Sequence, residues 1–105
     1  MIAWTDAPHA PSAGALSDLA HRIAEAVMTC PDVRQLTTGP HGRIATHRAG
    51  RRLEGVAVRG GEIEIGVIVR HGRPLPEIGE DVRRLVRPLA GRRTIDVLIA
   101  ALADG

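Results

Sequence analysis

The chain predicts an α+β fold, a two-layer sandwich with two helices on one face of a small, mostly antiparallel sheet. Three observations carry this. Two segments, 15–29 and 76–87, repeat their apolar residues at helical spacing, and two others, 62–70 and 95–101, place β-branched and other apolar residues at alternate positions as strands do. The length of 105 residues suits one domain. Elements that are each apolar on one side bury those sides by stacking.

Residues 1–14, with two prolines and no periodicity, read as an arm carrying Trp4; residues 15–105 form the domain. In the first helix Leu16, Leu19, Ala20, Ile23, Ala24 and Val27 share a face, opposite Asp18, His21, Arg22 and Glu25. Ser12 is the expected cap, and Pro31 ends the helix by disfavouring helical geometry at Cys30. Residues 33–38 and 43–48 read as short strands around the turn Gly39-Pro40-His41-Gly42, followed by a charged stretch from Arg48 to Arg52. Val56 and Val58 then lead into Gly60-Gly61, a pair suited to the positive φ of a tight hairpin turn. The returning strand points Ile63, Ile65, Val67 and Val69 one way and Glu62, Glu64, Gly66 and Arg70 the other. In the second helix Ile78, Val82, Leu85, Val86 and Leu89 share an apolar arc. Pro76 fits its first turn, and Pro88 predicts a kink or an end near Arg87. Ile95, Val97, Ile99 and Ala101 alternate with Thr94, Asp96, Leu98 and Ala100 in a closing strand, so the expected order is α-β-β-β-β-α-β.

Composition narrows the function. There is no Phe, Tyr or Lys, and Trp4 is the sole aromatic, which excludes a platform that stacks bases on rows of rings. The computed pI of 9.9 overstates the charge, because fourteen Arg stand against twelve acids, a formal +2. The excess is local: residues 70–93 hold seven Arg and three acids, whereas residues 1–69 are balanced. Arg70, Arg73, Arg83, Arg84, Arg87, Arg92 and Arg93 are therefore the candidate partner-binding residues, able to grip carboxylates or phosphates.

A lone Cys30 makes no disulfide framework or cysteine-based zinc cluster. The histidines at 9, 21, 41, 47 and 71 lack metal-ligand spacing; only His41 and His47 stand where a hairpin would bring them together. No nucleophile–base motif is present, and Glu62 and Glu64 read as a wet strand face rather than an acid–base pair. Gly39-Pro40-His41-Gly42 has the letters of a GXXG nucleic-acid clamp, but it lies between strands instead of helices. The expectations are thus no enzyme activity, no catalytic residue, no cofactor and no metal. With no signal peptide and no apolar run of membrane-spanning length, the expected compartment is the cytoplasm.

From Leu16 onward the chain resembles the alkaline shock protein 23 family of bacterial general-stress proteins. The carrying segments are LSDLAHRIAEAVMTCPDVRQL and GVAVRGGEIEIGVIVRHGRPLPEIGEDVRRLVRPLAGRRTIDVLIAAL. Departures are Asp32 where that family has glycine, His71 in place of a tyrosine, and Arg92-Arg93 in place of a small apolar link; residues 39–53 do not align. The resemblance implies a non-enzymatic stress-response scaffold of the cell envelope. It would act at the inner face of the membrane by self-association or through a small membrane-anchored protein. The alternative is nucleic-acid binding by the Arg face of residues 70–93, and no small-molecule substrate is evident.

Overall fold

The computed structural model describes residues 13–48 and 50–103; the expected arm with Trp4 and the cap Ser12 lie outside the described residues. Its elements are α1 (Ala13–Met28), β1 (Val33–Leu36), β2 (Ala45–Arg48), β3 (Arg51–Glu54), β4 (Val56–Val58), β5 (Glu62–Arg70), α2 (Leu75–Ala90) and β6 (Thr94–Ala103). The α+β sandwich is the one the sequence predicts, with one strand more than the expected order.

Strand β5 is the axis of the sheet. One flank pairs antiparallel with β4 at Ile63–Ile65 and then with β1 at Val67–Val69, end to end; the other pairs with β6 along its whole length. The β5–β6 pairing is parallel, because α2 crosses between the two strands and returns the chain to its starting end. Ile63, Ile65, Val67 and Val69 are fully buried and meet Ala20, Ile23 and Val27 of α1 and Ile78, Val82 and Val86 of α2 in one core. Both helices therefore cover the same face. Cys30 is part of that core, a buried small apolar side chain.

Several local expectations are corrected. Helix α1 begins at Ala13, two residues inside the expected arm. The segments around Gly39–Gly42 do not pair with each other: β1 joins β5, and β2 pairs with β3. The charged stretch supplies that second hairpin's strand ends, Arg48 pairing with Arg51 and Gly50 before it at φ 79°, and β3 went unread because Arg51-Arg52-Leu53-Glu54 offers one apolar residue. Gly60 and Gly61 do not take positive φ. Their turn is closed by the Arg59 N–H donating to the Glu62 carbonyl at 2.9 Å and is braced from outside: the Gly61 carbonyl accepts the Thr94 N–H at 3.1 Å, and the Arg59 carbonyl accepts Arg93 Nε at 3.2 Å.

Helix α2 runs through Pro88 to Ala90. Pro88 lies on the exposed side, where the carbonyl it frees meets solvent, while buried Ala90 holds the last turn down and Gly91 at φ 62° ends it. In β6 the alternation breaks. Ile99 stands opposite Val67 but Ala101 stands opposite Ile68, so Ala100 is an extra, bulged residue. Beyond it Leu102, not Ala101, occupies the core-side row opposite Val69.

The second face of β5 is less wet than alternation implies. Gly66 is buried there, its N–H bonded to the Gly55 carbonyl and its own carbonyl accepting Thr37 N–H, both at 2.9 Å. A Cβ at Gly66 would collide with the Thr37 backbone and press on Ile44. The 37–44 segment thus seals the junction where β4 and β1 meet.

Candidate interaction surface

The seven candidate arginines divide into two groups. Arg70 donates to the carbonyls of Pro31 and Val33, at 2.7 and 3.1 Å, stapling the end of β5 to the start of β1. Arg73 is a hub: it reaches Asp32 at 2.7 Å, Asp81 at 2.6 Å and Glu77 at 3.3 Å. These carboxylates hold the guanidinium charged, the hydrogen bonds it donates to Asp81 and Asp32 contributing most. In return Arg73, and then Arg84, hold the Asp81 carboxyl below its usual range. Asp32, the departure from the resembled family, is thereby used. Arg83 donates to the Ile95 carbonyl at 3.2 Å, and Arg93 to Arg59.

Arg84, Arg87 and Arg92 form the outward group. Arg84 touches Asp81 at 2.9 Å yet is 76% exposed, and Arg87 and Arg92 are exposed. Glu80, Arg83, Arg84, Arg87 and Pro88 line a shallow groove of about 400 Å³ along α2. Residues four apart on a helix stack on one side, which is why this face was readable in advance. A second cleft, about 690 Å³, lies between α1 and the β2–β3 hairpin and mixes Asp18 and His21 with Arg51 and Arg52. His47 is exposed and stands opposite Arg52, not His41. Among the described residues no three His, Cys, Asp or Glu side chains gather as a metal site would require.

The feature that sequence reading missed is the free edge of β6. This strand is ten residues long and, among the described residues, pairs with β5 on one side only. Asp96 is its one charge, and from Val97 to Ala103 every residue is apolar. Leu98 and Leu102 are 40% and 45% exposed. Two hydrogen bonds show which way its backbone points: Thr94 N–H turns inward to Gly61, and the Ile95 carbonyl turns outward to Arg83. By alternation Val97 and Ile99 also present N–H and C=O groups to the open side. The available signal was the run Val97–Ala103, apolar at even and odd positions alike where a strand with one wet face would alternate.

Among the described residues, the fold and this surface define an α+β open sandwich whose β6 margin carries no paired strand. No family profile matches the chain, and no curated protein matches it. Among solved structures it is similar to a tryptophan-to-alanine variant of MamM CTD, at 18% identity and a TM-score of 0.51, over 85% of this chain and 94% of that one. At that identity the likeness is one of fold. No helix among the described residues is long and apolar enough to cross a membrane.

Proposed function

We propose that this chain is a non-enzymatic interaction module. It works in the cytoplasm, at the inner face of the cell membrane, by self-association or by holding a small membrane-anchored protein, and it serves cell-envelope homeostasis under stress. The observation that carries the reading is the free apolar edge of β6, with outward backbone groups and exposed Leu98 and Leu102. Such an edge pairs with another strand unless something blocks it. The envelope-stress part rests on the resemblance of residues 16–36 and 55–102 to the alkaline shock protein 23 family. The outward arginines Arg84, Arg87 and Arg92 suit an acidic protein or an anionic membrane surface.

The test is fractionation of native cells before and after an alkaline shift, following the tagged full chain. Sedimentation with membranes after the shift, lost in a strain lacking the partner's gene, is expected. A chain that stays dispersed and unassociated under stress overturns the reading. Nucleic-acid binding has less support, since Arg70, Arg73, Arg83 and Arg93 are spent on internal contacts. It predicts a mobility shift at about 50 mM salt that fades steeply as salt rises.

A further inference from the structure

We propose that β6 pairs antiparallel with β6 of a second copy, about a two-fold axis between Ile99 and Ala100, so that two sheets become one. The inference rests on the interaction-module reading and commits it to one partner, this chain itself.

Three properties of the edge select that partner. The first is the side each residue faces. Ile95, Val97 and Ile99 belong to the core-side row, paired with Ile63, Ile65 and Val67. After the bulge at Ala100, Leu102 belongs to that row and Ala101 and Ala103 to the opposite one. A strand added across the edge must set core-side residues against core-side residues. With the axis between Ile99 and Ala100, Val97 meets Leu102 of the second copy, Leu98 meets its Ala101, and Asp96 meets its Ala103. All three matches respect the faces. An axis through Leu98 would set Ile95 against Ala101, core side against outer side. The bulge thus moves the face-matched axis for the span Asp96–Ala103 from a residue to the gap between Ile99 and Ala100.

The second property is size and polarity. Each exposed leucine meets a smaller apolar residue, Leu98 on alanine and Leu102 on valine, so the pairing buries the side chains that one copy leaves in water. The third is charge. Glu64 and Asp96 are neighbours in one row across β5 and β6, and Ala103 and Arg70 are neighbours in another. The two-fold continues the acidic row of one copy into the row of the second copy that ends on Arg70, and no like charges stand opposite across the joint. Val97 N–H already points outward, so pairing takes nothing from the bonds to β5.

Leu98→Cys and Ala101→Cys placed together test the register. They stand opposite one another at a non-hydrogen-bonded pair, where Cα atoms lie about 4.5 Å apart, within disulfide reach. Buried Cys30 can stay. The double variant should give a covalent dimer under mild oxidation, and either single variant should not. In sedimentation the native chain should dimerise, and Leu98→Arg or Ala101→Arg should weaken the dimer roughly tenfold or more while circular dichroism stays native. A native chain that remains monomeric up to its solubility limit overturns the inference. So does a dimer indifferent to both arginine variants, or a cross-link formed by Leu98→Cys alone. If the chain is monomeric yet still binds a membrane-anchored protein and loses it on Leu98→Arg, the interaction-module reading survives without the dimer.

Discussion

The two margins of the sheet handle the same hazard in opposite ways. On one side β5 is flanked by β4 and β1, three and four residues long. Strand β1 carries an extra residue at Arg34, Thr46 Oγ1 donates to the Val56 carbonyl at 2.7 Å, and the Gly55 N–H is bound by the Ile44 carbonyl. Short strands, a bulge, and partners for outward backbone groups are the means by which proteins prevent unwanted strand addition. On the other side β6 runs ten residues with a single acid and no proline. Among the described residues, a side chain reaches its outward backbone at Ile95, whose carbonyl accepts from Arg83. The blunted margin combines these devices on short strands, whereas β6, with one bulge at Ala100 and one contact at Ile95, stays long and apolar.

The largest expected effect breaks the shared core. Ile65→Ala, at a fully buried position of β5, should lower unfolding stability by about 2–5 kcal/mol, read as a lower urea midpoint with an unchanged slope. Gly66→Ala attacks the seam of the blunted margin, where the added methyl meets the Thr37 backbone. A loss of about 1–3 kcal/mol is expected, with faster amide exchange at Thr37 and Gly55. Thr46→Val opens the protected side by removing one cap, at about 0.5–1.5 kcal/mol, and should raise concentration-dependent association if edge protection is what the hydroxyl supplies.

The smallest effect concerns Arg73, whose three ion pairs are solvent-exposed and therefore weak. Because Asp81 is held below its ordinary range in the folded chain, its stabilising contribution is full above that range and is lost as the pH falls through the folded value. The gap in melting temperature between the native chain and Arg73→Ala should then be present at neutral pH and close under acid. A gap that is constant from neutral to strongly acidic pH would show that Arg73 acts through packing alone.

Local periodicity made both helices, the β5 core row and the Arg-bearing face of α2 legible, since a face repeats at fixed spacing whatever it packs against. Pairing was not legible. Nothing in Val33–Leu36 says that its partner is Val67–Val69 more than thirty residues on, or that Arg51–Glu54 turns back on Ala45–Arg48. The charge excess of residues 70–93 also proved divisible only in three dimensions. Arg73 and Arg84 look alike in sequence, yet Asp32, Glu77 and Asp81 converge on the first and leave the second 76% exposed.

By itself the sequence determined a thin aliphatic core without Phe or Tyr, two one-sided helices and a class without base-stacking platforms. The tertiary structure decided that β4 and β1 share one flank of β5, that α2 lays β6 parallel on the other, and that a bulge at Ala100 turns Leu102 toward the core side. The physical reason is range. Side-chain periodicity is set within a few residues, whereas which strand edge remains unpaired depends on every strand that finds a partner first.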